Sequence, residues 1–208
     1  MPPVEPPAGP DSTVRPVPSA PPTGFHHLGD EMRLRGWRIS VVRSTFSAPD
    51  GTVFTRDVVR HPGAVAVVPV TDDGTVLLVS QYRGAVGREL LEIPAGTRDV
   101  EGEPPESTAR REVEEEVGVR AGTILHLATL ANSPGFCDEI TLIYLATALE
   151  PVPTDRHGEE ETHMTVVELP LTEACAMIGR GEVVDAQTVA GLLLARDHLD
   201  GGARPRRP

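Results

Sequence analysis

Thiols, long apolar runs and basic charge are all in short supply in this 208-residue chain. Two cysteines, Cys137 and Cys175, are far too few for a disulfide scaffold, which excludes the bridge-dependent secreted class. No stretch approaches the ~20 apolar residues that a membrane-spanning helix needs. The N-terminus has no basic segment followed by an apolar one, so no secretory signal is expected. A total of 19 Lys+Arg against 31 Asp+Glu leaves a formal net charge of −12. A chain that negative has no sequence-independent route to a phosphate backbone or an anionic bilayer, so nucleic-acid and membrane partners are not expected. A reduced, cytoplasmic protein is the expectation. If its substrate is a phosphate compound, cations must bring it in.

What is present suffices for one folded domain. Hydrophobic residues make up 39% and charged residues 24%, which excludes disorder of the whole chain. Of the 21 prolines, nine fall in the first two dozen residues, so residues 1–29 read as a disordered proline-rich tail and 201–208 as a frayed end. The folded unit should span 30–200. Arg38–Phe46 and Thr52–Arg60 flank a Pro-Asp-Gly turn and predict an N-terminal antiparallel hairpin. Ala64–Val70 (AVAVVPV) reads as a strand buried on both faces, and Thr75–Tyr82 as the next strand. Pro104-Pro105 opens a helix in which Ala109, Val113 and Val117 recur every four residues and Gly118 supplies the stop. Strands follow at Thr123–Ala131, Ile140–Leu149 and Met164–Leu169, with helices near Thr172–Gly179 and Ala186–Leu199. Hairpins mixed with helices indicate an α/β chain without regular βαβ alternation.

The helix is too acidic for its own good. Residues 111–118 read REVEEEVG, and Glu112, Glu115 and Glu116 share an arc of roughly 100°. Such like-charge pairs cost ~0.2–0.5 kcal/mol each, and they sit where the helix dipole already disfavours anions. Arg111 reaches Glu115 at i,i+4, but one guanidinium cannot neutralise three carboxylates. One reading is a site for hard divalent cations, held by helix carboxylates, waters and substrate phosphates. The other is a solvated acidic face.

The surrounding residues decide between them. Gly96, Glu103, Arg111, Glu112, Val113, Glu115, Glu116, Gly118 and Val119 together resemble the Nudix box, G-x5-E-x7-R-E-U-x-E-E-x-G-U, with U apolar. At ~1 in 15 per fixed residue, a chance match is far rarer than one per chain. One departure stands out. Gly96 precedes Glu103 by seven residues instead of six, which reads as a one-residue insertion within Thr97–Gly102. LLEIPAG at 90–96, QYR at 81–83 and NSPGFCDE at 132–139 further resemble the ADP-ribose pyrophosphatase branch of that superfamily.

The resemblance implies an α/β/α sandwich around a mixed sheet. It also implies Mg²⁺-dependent (alternatively Mn²⁺-dependent) hydrolysis of ADP-ribose to AMP and ribose 5-phosphate. Glu112 and Glu116 match principal metal ligands, Glu115 a bridging or outer one, and the Ala95 carbonyl a backbone ligand. Arg111 and Glu103 match positions that orient these groups, although Glu103 could equally be a helix N-terminal charge. The general base of the branch comes from a late acidic loop, here TDRHGEEE at 154–161. Glu159, Glu160 and Glu161 are the candidates, with Glu159 the best fit to the base and Glu160 to a metal-contacting carboxylate. His157 is a rival base. Arg83 and Arg56 match phosphate contacts, although either could instead be an ordinary surface ion-pair residue. Gly96 lies against the substrate, and Glu139 matches a carboxylate near the terminal ribose and metals. Trp37, the single tryptophan, matches an aromatic that stacks on adenine from a partner subunit; the alternative is a core residue. A homodimer with exchanged N-terminal strands, about 30–60, is implied too. The competing readings are a Nudix hydrolase of another nucleoside diphosphate sugar or dinucleotide, and a non-catalytic nucleotide-sugar sensor.

Overall fold

The computed structural model describes residues 23–156 and 159–201, without the side chains of Glu159 and Glu160. Strand β4 (Ala64–Pro69) is the axis of the molecule, and every one of its residues is buried. Its alternate side chains enter two different cores, as a strand's period of two requires. Ala66 and Val68 pack with Leu78, Ile93, Ile143, Leu145 and Leu192. Val65 and Val67 pack with Val79, Ala109, Val113, Leu142 and Tyr144. The central sheet runs β7 (Ala95–Thr97), β4, β9 (Ile140–Pro151), β8 (Val119–Ala131). It is mixed, because β4 and β9 are parallel while the other neighbours are antiparallel. A second antiparallel sheet orders β10 (Thr165–Pro170), β5 (Thr75–Arg83) and β6 (Arg88–Glu92).

Helix α1 (Pro105–Val117) covers one face through Ala109, Val113 and Val117. Glu159–Glu161, read from the sequence as loop, lie in the single-turn helix α2 (Glu159–Thr162). Helix α4 (Ala186–Leu199) covers the other face with α3 (Leu171–Arg180) beside it. The α/β/α sandwich is as expected. Gly118 ends α1 in the left-handed region, with its N–H donated to the Val113 carbonyl. Gly191 lets α4 approach β4 and β9, since a Cβ there would press on Ile93 and Val68. No helix among the described residues is long and apolar enough to cross a membrane.

The N-terminal hairpin is one strand larger than expected. β2 (Ser40–Ser47) and β3 (Val53–Arg60) pair as foreseen, and β1 (His26–Arg35) adds an outer antiparallel strand. Residues 26–29, read from the sequence as the end of the tail, are therefore strand, whereas 1–22 and 202–208 lie outside the described residues. The polar spacing HHLGDEMRLR hid β1, because it alternates too weakly to signal a half-buried strand. Asp30 of β1 accepts from the Ser44 hydroxyl at 2.6 Å and from Arg60 at 2.8 Å, and Arg60 also donates to Asp138 at 3.0 Å. The Ser44 and His27 contacts hold the Asp30 carboxyl well below the usual carboxylate range.

One buried polar contact joins α4 to the turn that precedes β7. The Asp185 carboxylate caps α4 by accepting from the Thr188 N–H and hydroxyl, and the Thr188 hydroxyl oxygen accepts the Ile93 N–H at 2.9 Å. Thr188→Val keeps the shape but strands that buried N–H. It should lower unfolding stability by ~1–3 kcal/mol in a denaturant titration; no loss would mean the N–H finds another partner.

Candidate active site

Helix α1 presents its acids inward. Glu112 is 8% exposed and Glu116 4% exposed, values typical of core residues, and Glu115 is half-buried beside them. All three line a cavity of about 570 Å³ with Ala95, Gly96, Arg83, Arg111, Trp37 and Glu161. That is the size range of a small-molecule site. A Cβ at position 96 would fall inside the Glu112 carboxylate, so any larger residue there would turn that acid away from its place. Gly96 lies opposite Val65 on β4, and the turn that follows it has Gly102 in the left-handed region.

The electrostatics are unbalanced in favour of the anions. Burial, with the nearby charges of Glu115, Glu161 and Asp99, pushes the Glu112 carboxyl up to about 7 against the pull of Arg111. Burial and the charge of Glu112 push Glu116 up to about 8, although the Ala95 N–H donates to its Oε2 at 3.1 Å. Arg111 lies 2.9 Å from Glu112, 3.0 Å from Glu115 and 3.7 Å from Glu103. Glu103 also accepts the Thr108 hydroxyl at 2.8 Å, so it binds the helix start and faces Arg111 at once. One guanidinium thus serves three carboxylates. Among the described residues no three His, Cys, Asp or Glu side chains are grouped so as to hold a metal ion by themselves. An open set fits a hard cation that keeps waters and takes further oxygens from a phosphate substrate. The residues present therefore fit a divalent ion.

Other expected residues are divided between neighbouring recesses. Arg83 stands on the wall between the first cavity and a second of about 470 Å³, which Glu139, Asn132 and Gln187 also line. Its Nε donates to both Glu92 oxygens, at 2.9 and 3.1 Å, and Glu92 is fully buried. Arg56 stacks over Phe54 and lines a third recess with Phe136, away from the α1 acids of its own chain. Trp37 is not a core residue; it is 92% exposed, rims the cavity of its own chain, and stacks with Arg38, which pairs with Asp99 at 3.3 Å. His157 and the side chains of Glu159 and Glu160 lie outside the described residues. Sequence reasoning missed the buried Arg83–Glu92 pair, although both residues stand in motifs it had quoted, and the Arg38–Asp99 pair, which has no sequence signature.

Comparison with known proteins fits this geometry. A model of the NUDIX domain matches residues 60–190. The chain is 42% identical over 182 residues to the ADP-ribose pyrophosphatase of Mycobacterium tuberculosis, covering 88% of each protein. It is 41% identical over 161 residues to the ADP-ribose pyrophosphatase of Bacillus subtilis, covering 77% of this chain and 86% of that one. A GDP-mannose pyrophosphatase of Yersinia enterocolitica is 36% identical over 146 residues, covering 67% and 75%. A crystal structure of an ADP compounds hydrolase superposes with a TM-score of 0.73 at 24% identity, over 86% of this chain and 96% of the other, a likeness of fold. The chain belongs to the NUDIX domain family and is a pyrophosphohydrolase. Within the family its similarity is to the ADP-ribose pyrophosphatase branch, whose chemistry, like that of Nudix hydrolases generally, uses divalent metal ions.

The raised carboxyls have a consequence for stability. Because both acids hold protons more tightly folded than unfolded, their contribution is full below the ordinary carboxylate range and is lost as pH rises through about 7 to 8. In metal-free protein, the Glu112→Gln/Glu116→Gln double variant should gain melting temperature over wild type as pH rises from about 5 to about 8. A difference that does not change with pH would show that the acids are not strained.

Proposed function

We propose that the chain hydrolyses the diphosphate of ADP-ribose to AMP and ribose 5-phosphate in the presence of Mg²⁺. The observation that carries this reading is the pair of buried acids, Glu112 and Glu116, facing Gly96 in a cavity that Arg83 and Trp37 also line. The carboxylates of Glu112 and Glu116 and the Ala95 carbonyl would hold the metal, with Glu115 in a bridging or outer position. Bound Mg²⁺ supplies neutralisation of the diphosphate and a more acidic water. Arg111, spread over Glu103, Glu112 and Glu115, keeps the helix acids in place. Arg83 reaches the phosphates with its orientation fixed by Glu92, and Trp37 stacks on the adenine. A carboxylate of the late loop takes the proton of the attacking water: Glu159, Glu160 or Glu161, of which Glu161 lines the cavity. Glu139, in the adjoining recess, takes the terminal ribose. The similarity to a GDP-mannose pyrophosphatase supports a second reading, another nucleoside diphosphate sugar at the same site.

A homodimer completes the proposal. All ten residues of β1 are exposed, and Leu28, Met32 and Leu34 among them are apolar, a face that calls for cover. Arg56, remote from the acids of its own chain, would then serve the partner's phosphates.

A panel of nucleoside diphosphate sugars assayed for nucleotide release should favour ADP-ribose, yielding AMP. Glu112→Gln and Glu116→Gln should each lower kcat by ~10²-fold or more at saturating Mg²⁺. Near wild-type turnover in either would remove the metal assignment. Trp37→Ala should raise KM for ADP-ribose by the equivalent of ~1–3 kcal/mol of base stacking, with kcat little changed. An unchanged KM would take the adenine away from Trp37. Sedimentation at micromolar concentration should give a dimer, and a monomer would end the proposal of shared sites.

A further inference from the structure

The C-terminal end of α1 carries Glu114, Glu115 and Glu116 and no basic residue in its last turn. Its final carbonyls need donors and its dipole calls for a cation. Both come from a segment some 40 residues further on. The Glu115 carbonyl accepts the Asp155 N–H at 3.2 Å. The Glu116 carbonyl accepts two N–H bonds from the Arg156 guanidinium, Nε at 3.0 Å and Nη2 at 2.8 Å. The third arm of that guanidinium, Nη1, crosses to the Met164 carbonyl at 2.7 Å. Met164 is buried, and its own N–H donates to the Glu161 carbonyl at 3.1 Å. Glu161 lines the cavity of Glu112 and Glu116.

We infer that Arg156 is a positioning residue: its planar fork fastens the segment that carries Glu161 to the backbone of Glu116, and so fixes the distance between Glu161 and the helix acids. The inference rests on the reading above that this segment serves turnover. A capping role alone would ask only for a cation near the helix end, which a lysine also supplies. The fork does something a point charge cannot, since it bonds two carbonyls from different segments at once. A catalytic carboxylate displaced by ~1 Å forfeits up to ~10²-fold in rate.

The test compares Arg156→Ala and Arg156→Lys with Glu159→Gln, Glu160→Gln and Glu161→Gln, in full-length protein well below the melting temperature. Arg156→Ala should lower kcat at least ~10-fold while KM stays within about threefold, and Arg156→Lys should recover little of it. Hydrogen exchange of the Met164 amide should speed up in both variants. A kcat within threefold of wild type in Arg156→Ala, or full recovery in Arg156→Lys, would reduce Arg156 to a helix cap. Full turnover in all three Gln variants would instead overturn the loop's catalytic role, and the inference with it. One inactive Gln variant beside an active Arg156→Ala would overturn the clamp alone.

Discussion

Two carboxylates held out of water on one face of α1 are the constraint on which the rest of this structure depends. Burying an unpaired carboxylate costs several kcal/mol even after relaxation, and here Glu112 and Glu116 face each other with only Arg111, Arg83 and one backbone N–H in opposition. A fold chosen for stability alone would place alanine or leucine at these positions. The surroundings are built to tolerate them instead: Gly96 leaves room for the Glu112 carboxylate, and Val113 and Ala109 anchor the helix from the same turns.

The scaffold transmits that constraint through backbone groups. Pro94 accepts the Val67 N–H, Ile93 donates to Thr188, and Ala95 donates to Glu116, so the residues just before the box are held by β4, α4 and α1 at once. Because β4 feeds both cores, a shift of either helix layer would move the Ala95 carbonyl relative to the acids. Arg156 adds a further contact at the same C-terminal end of α1, to the Glu116 carbonyl, and reaches on to the Met164 carbonyl. The site is thus framed by contacts to main-chain atoms, which bind side chains of many types at their own positions.

Where the sequence was legible, a short-range rule applied. The continuous apolar run of β4, the Pro-Pro start and Gly stop of α1, and the REVEEEVG arc all follow from local periodicity and capping, and the box spacing carried the carboxylates. What escaped depends on partners distant in the chain. β1 pairs with β2 along its length and its Asp30 meets Ser44 and Arg60, partners that the spacing of its own residues does not announce. Arg83, open in the sequence to a phosphate contact or an ion pair, is engaged by Glu92, nine residues away on the adjacent strand. Composition left Trp37 open to the core or the adenine, and the turn after β1 puts it at the cavity rim. Arg156 stood within a quoted loop and carried no signal, since a guanidinium bonded to main-chain carbonyls leaves no trace in residue types.

The central claim is that the α1 acids are held partly protonated until a divalent cation claims them. The direct measurement is proton release on titrating Mg²⁺ into the metal-free protein, by calorimetry in buffers of different ionisation enthalpy. Carboxyls raised to about 7 and about 8 must deprotonate to serve as the proposed metal ligands. Near neutral pH, Mg²⁺ binding should therefore release protons, less at higher pH, and Glu112→Gln/Glu116→Gln should abolish the release. Tight Mg²⁺ binding with no proton release, or release unchanged in the double variant, would contradict the account.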